Sequence, residues 1–148
     1  MMSNTTPFSV FLIDDDDVAC ESVSRAFKKY DIPFPIITAQ DGQEALQVLR
    51  GEHPSKSLQE PFVILLDLNM PRMNGFEFLQ AVRADPLLAH CIIFVLTTSD
   101  DDNDRSRAYA ENIAGYMVKS AVGPQFSRLT QLLQSYHSSV ILPGKHYA

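Results

Sequence analysis

Five short runs of unbroken apolar residues punctuate the chain: FSVFLI (8–13), PIITA (35–39), FVILL (62–66), IIFVL (92–96) and GYMV (115–118). None alternates apolar with polar residues, as a strand with one wet face would. Continuous runs of this length predict parallel strands buried on both faces. Between them the period changes. Val23, Ala26, Phe27 and Tyr30 share one face of a helical repeat, and beyond the last run Phe126, Leu129, Leu133 and Tyr136 recur at i, i+3, i+7 and i+10. Each strand is followed by an amphipathic segment whose apolar face covers the sheet.

Turn residues support the same divisions. Asp41-Gly42 precedes the second helix and Gly51 with His53-Pro54 closes it; Asn74-Gly75 opens the third helix and Asp85-Pro86 ends it. Segment 52–60 reads as a polar loop and 138–148 as a tail, leaving one domain over 1–148 with its core at about 8–137. Five strand–helix units in succession, with right-handed crossovers, build an α/β fold: an open, doubly wound, five-stranded parallel sheet with helices on both faces.

Composition narrows the function classes. At 148 residues, 45% apolar and 20% charged, the chain is an ordinary globular domain. Its net charge of -6 repels nucleic acid and anionic membranes, which argues against direct DNA binding. The apolar runs are too short to span a bilayer, and MMSNTTP lacks the basic and apolar regions of a signal peptide, which points to the cytoplasm. Two cysteines, Cys20 and Cys91, are expected as packing residues in a reducing compartment, and the four histidines show no metal-ligand spacing.

In open sheets of this kind, ligands bind beyond the carboxyl ends of the strands. Strand 1 ends in Asp14, Asp15, Asp16 and Asp17, strand 3 in Asp67, strand 4 in Thr97 and Thr98, and strand 5 in Lys119. Singly each has an ordinary explanation, and Asp16 and Asp17 read as turn formers or helix caps. Together they do not, because carboxylates gathered at one edge repel strongly unless a cation relieves them. Oxygen ligands without histidine or cysteine suit Mg²⁺, and Lys119 with Thr97 would hold an anion beside it, a phosphoryl group. Asp67, ionised at neutral pH and needing no general base, is the candidate nucleophile.

The segments LIDDDD, LLDLNMPRMNGFEFL, VLTTS and YMVKSA resemble the receiver domain of two-component response regulators, over residues 8 to about 137. The resemblance implies a flavodoxin-like sheet of order 2-1-3-4-5. It also implies a signalling protein rather than an enzyme, whose only chemistry is its own phosphotransfer and autodephosphorylation. Asp67 would accept a phosphoryl group from a histidine kinase or phosphotransfer protein. Asp15 would ligate Mg²⁺ directly, Asp14 mainly through a bound water, and Asn69 through its backbone carbonyl. Thr97 and Lys119 would bind the phosphoryl oxygens, and Tyr116 matches the aromatic switch position that responds to Thr97. Segment 100–114 has only a weak apolar stripe, equally consistent with a signalling face and with a merely solvated helix.

One residue departs from the family pattern. Proline, joined by a cis bond, usually follows the lysine, whereas Ser120 follows Lys119 here. A cis bond to serine costs about 2.5 to 4 kcal/mol. Either the bond is trans or the fold overcomes that cost. KSA, the long last helix and the VILP tail further resemble stand-alone regulators associated with bacterial phytochromes, which implies a light-regulated kinase as donor and homodimerisation. With no output domain expected after 137, output would pass through a partner or further phosphotransfer.

Rival readings keep the fold and change the chemistry. An aspartyl-phosphate hydrolase wants a second acid two residues after the nucleophile, where Asn69 stands. A nucleotide or flavin binder needs a Gly/Ser/Thr-rich loop where the four aspartates lie. A degenerate receiver would bind partners without phosphorylation, and the complete set of site residues argues against it.

Overall fold

The computed structural model of the protein describes residues 7–143; the N-terminal residues 1–6 and the last five of the expected tail, 144–148, lie outside them. Strands β1 (Ser9–Ile13), β2 (Ile36–Ala39), β3 (Phe62–Leu66), β4 (Ile93–Thr97) and β5 (Gly115–Val118) form one parallel sheet in the order β2-β1-β3-β4-β5. Helices α1 (Asp17–Lys29), α2 (Gly42–Leu49), α3 (Gly75–Ala84), α4 (Asp102–Tyr109) and α5 (Ser127–Ser139) alternate with them.

Strand periodicity divides the core in two. Phe11, Ile13, Ile64, Leu66, Ile93 and Val95 face α2, α3 and α4, while Val10, Leu12, Val63, Leu65, Phe94 and Leu96 face α1 and α5. The central strands β1, β3 and β4 are buried on both faces, as their apolar runs require, whereas the edge strands β2 and β5 are mostly half-buried. Leu129 and Leu133 carry the buried face of α5.

Several expectations shift. Tyr30 caps α1 rather than belonging to it, because the chain leaves helical geometry at that residue. Phe126 precedes α5 in a left-handed conformation, φ 56°, yet still packs against the core. The last helix runs to Ser139, so the tail starts at Val140 rather than at residue 138. In the acidic stretch only Asp102–Tyr109 is helical, with Ala108 its one buried residue. Nor is 52–60 simply polar. Leu58 packs on the core, and Glu44 of α2 accepts from Lys56 Nζ and pairs with His53 Nε2, both at 3.1 Å. The only cis bond among the described residues is Glu60-Pro61, so Lys119-Ser120 is trans and opens a 3-10 turn, Lys119–Ala121.

Candidate functional site

Parallel registers bring the carboxyl ends of β1, β3, β4 and β5 to one edge, and backbone hydrogen bonds fix their heights. Asp14 N–H donates to Ala39 O at 2.9 Å and Asp67 N–H to Ile13 O at 2.9 Å, so both aspartates leave the sheet at the same level. Past Asp67 the chain must turn sharply into α3. Gly75 makes this possible: its N–H donates to Leu68 O at 3.0 Å, and a β-carbon there would lie 2.6 Å from the Asp67 carbonyl. Asn74 then closes a capping box with Glu77.

The side chains converge. One oxygen each of Asp14, Asp15 and Asp67 lies within 4.8 Å of the other two. Asp14 is 2% exposed and Asp67 7%, while Asp15 is open to solvent. Lys119 Nζ donates to Asp14 Oδ2 at 2.7 Å and stands 3.9 Å from Asp67 Oδ2. Thr97, fully buried at the last position of β4, donates its hydroxyl to Asp67 Oδ1 at 2.8 Å. Asp16 does what a cap does, accepting from Val18 N and Ala19 N, and Asp17 opens α1 with a favourable charge for the helix dipole. Asn69 is exposed, with its N–H at the 3.5 Å limit from Asp67 Oδ1, and Thr98 faces solvent.

Burial governs the electrostatics. Desolvation pushes the Asp14 carboxyl above its ordinary value, only partly offset by its hydrogen bonds from Lys119 and Asp16 N–H. Burial also works to lower the Lys119 ammonium, but the Asp14 hydrogen bond and the nearby carboxylates outweigh it, so Lys119 stays charged well into the alkaline range. The site therefore presents concentrated negative charge with one fixed cation on the β5 side. Tyr116 lies further along that side: its hydroxyl donates to Ser99 O at 2.9 Å, tying β5 to the loop entering α4. Sequence reasoning passed over Ser99, since a backbone carbonyl carries no side-chain signal. The Ser99 hydroxyl also donates to Asp104 at 2.7 Å and accepts from Asp101 N–H at 3.3 Å, a local turn that a serine before an acidic helix start could have flagged.

Residues 10–134 match the response regulator receiver domain family. Over 131 residues the chain is 31% identical to the probable methanogenesis regulatory protein FilR2 of Methanothrix harundinacea, covering 88% of this chain and 83% of that one. It is 28% identical over 139 residues to the response regulator Rcp1 of Synechocystis, covering 93% and 95%. Among solved structures, the Mn²⁺-bound form of Rcp1 superposes with a TM-score of 0.79 at 28% identity, over 93% of this chain and 100% of that one. The phosphorylated cyanobacterial phytochrome response regulator RcpA superposes with a TM-score of 0.76 at 29% identity, over 94% and 100%. A match spanning most of the chain, together with this sheet order and this cluster of strand-end residues, makes the protein a member of the response regulator receiver family.

Proposed function

We propose that Asp67 is the phosphoacceptor: its carboxylate takes a phosphoryl group from a phosphohistidine on a sensor histidine kinase or phosphotransfer protein. The observation that carries this reading is the placement of Lys119 between Asp14 and Asp67 with the Thr97 hydroxyl on the other oxygen of Asp67. An Asp67 oxygen attacks phosphorus as the bond to the imidazole nitrogen breaks. Lys119 and Thr97 then exchange their present carboxylate contacts for the transferred oxygens, neutralising charge where it develops.

Three carboxylates within 4.8 Å, two of them buried, form an all-oxygen cluster that fits a hard divalent cation such as Mg²⁺. Asp14, Asp15 and Asp67 would hold it, with the Asn69 backbone carbonyl as a further oxygen. When bound, the cation offsets their mutual repulsion and the negative charge of the incoming phosphoryl group. The Mn²⁺-bound form of Rcp1 supports this reading.

Signalling follows by population shift. Thr97, drawn toward the phosphoryl group, leaves its place on β4, and Tyr116 gives up the Ser99 carbonyl, freeing the loop into α4. The likeness to the cyanobacterial phytochrome response regulator RcpA favours a phytochrome-type kinase as donor. Cytoplasmic action belongs to the same reading, and the exposed Ile141 beyond α5 favours a homodimer as the working form. Among the described residues no helix is long and apolar enough to cross a membrane.

The test is intact mass after incubation with Mg²⁺ and a small phosphodonor. The wild type should gain one phosphoryl group only when Mg²⁺ is present, and Asp67→Asn should gain none. A wild type that stays unmodified and binds no Mg²⁺ would make the protein an interaction module without phosphotransfer.

A further inference from the structure

The turn between Asp67 and α3 holds one residue in a conformation its type disfavours: Arg72 sits at φ 62°. A residue with a β-carbon takes the left-handed region only when its surroundings compensate. Here the compensation reaches outside the turn. The Arg72 guanidinium engages Asp41 Oδ2 through both Nε, at 2.8 Å, and Nη2. Asp41 is 1% exposed, and its other oxygen caps α2 by accepting Glu44 N–H at 2.9 Å. The Arg72 side chain is itself 64% exposed, so without the guanidinium Asp41 Oδ2 would turn to water rather than be sealed in the interior.

The same two segments meet through their backbones. Gly42 N–H donates to Met73 O at 3.0 Å, an approach so close that a β-carbon on Gly42 would lie 2.6 Å from Met73 Cγ. At its other end, the chain leading into α2 leaves β2 at Ala39, whose carbonyl accepts from Asp14 N–H. A closed circuit results: Asp14 to Ala39, to Asp41, to Arg72, and back along the turn past Asn69 to Asp67. Asp41 is not itself among the clustered carboxylates, and Arg72 is its side-chain link to the turn that carries Asp67.

Building on the proposed cation and phosphoacceptor role, we infer that Arg72 is a positioning residue. Its clamp on Asp41 holds the 68–74 turn so that the Asn69 backbone and the Asp67 carboxylate stay in register with Asp14 before any cation arrives. Outer-shell contacts of this kind orient ligands without touching the metal.

The discriminating variant is Arg72→Gly in the full chain. Glycine takes φ 62° without strain, so it removes the guanidinium while sparing the backbone. Arg72→Lys keeps the charge but loses the two-nitrogen fork. Mn²⁺ and Mg²⁺ affinity by titration calorimetry should fall about tenfold in Arg72→Gly and less in Arg72→Lys, the low end of the range for outer-shell partners. Without metal, amide exchange at Gly42 should quicken. The phosphorylation deficit should vanish at saturating Mg²⁺, with melting temperature little changed. Unchanged affinity in Arg72→Gly, or a loss that merely follows a lower melting temperature in both variants, would overturn the inference and leave the phosphoacceptor reading intact. A wild type that binds neither cation would overturn both.

Discussion

Cys20 and Cys91 differ in setting but share a direction. Cys20 lies in α1 beside the site, its thiol directed at the Asp14 carbonyl oxygen 3.7 Å away, and Cys91 lies in the half-buried approach to β4. Burial, with Asp14 adding to it at Cys20, pushes both thiols up to about 11. The thiolate is the reactive form, and a thiol with a raised pKa releases its proton only as the pH approaches the new value. At pH 8, alkylation of the folded protein by iodoacetamide should run on the order of a hundredfold slower than that of a free cysteine with its pKa near 8.5. The rate should climb tenfold per pH unit until about 11, provided the fold survives. Intact mass over time measures this, with the urea-unfolded chain as the fast reference. Rapid double labelling of the native protein near neutral pH would contradict the burial assigned to these thiols. The sequence reading placed both cysteines as packing residues, and their surroundings agree. It could not see that Cys20 borders the acidic site, because that contact depends on how α1 leaves the sheet.

Elements were legible where hydrophobic patterning was strong and illegible where tertiary contacts replaced it. The runs at β1, β3 and β4 announced themselves because a strand covered on both faces needs apolar residues at every position. Asn74-Gly75 and Asp41-Gly42 gave the starts of α3 and α2, since a cap works through local hydrogen bonds that spacing alone reveals. By contrast, α4 buries only Ala108 and leaves almost no stripe to read. The loop after α2 is organised by Glu44, His53 and Lys56, a set that no short-range rule connects. The left-handed pair Gln125 and Phe126 delayed α5 beyond its periodic signal. The Asn74 cap offers a direct check on the legible part. Its Oδ1 accepts Glu77 N–H at 2.9 Å, and its own N–H donates to Glu77 Oε1 at 3.0 Å, just after the turn that carries Asp67. Replacing Asn74 by Ala should cost about 1 kcal/mol, seen as a lower urea midpoint at unchanged slope. An unaltered midpoint would show that the close packing of Gly75 on Leu68, rather than the cap, starts α3.

At the scale of the whole molecule, the proposed function assigns partners of different kinds to two surfaces. Beyond α5, Ile141 is 96% exposed and Val140 36%, while Leu142 folds back onto the core under α1 and α5. An exposed isoleucine pinned beside a half-buried leucine suits contact with a second copy. Ile141→Asp should therefore shift the particle mass in sedimentation from dimer to monomer with little change in melting temperature. A monomeric wild type would remove the homodimer from the proposed function.

The other surface is the acidic strand edge, and here local repulsion and total charge act together. The protein carries a net charge of -6, and Asp14, Asp15 and Asp67 crowd within 4.8 Å with Lys119 as their near cation. Folding must bring these charges together, so a cation that binds only the folded arrangement stabilises it by linkage. Mg²⁺ at about a hundred times its dissociation constant should add about 2.7 kcal/mol. For a domain of this size that corresponds to a rise in melting temperature of roughly 5–10 °C. Sodium chloride at equal ionic strength should give much less, because buried charges are poorly screened. Asp15→Asn removes an exposed member of the cluster, so it should melt near or above the wild type without Mg²⁺ and gain less from it. Equal gains from both salts, or the same Mg²⁺ response in Asp15→Asn, would mean that the carboxylates are relieved by Lys119 alone.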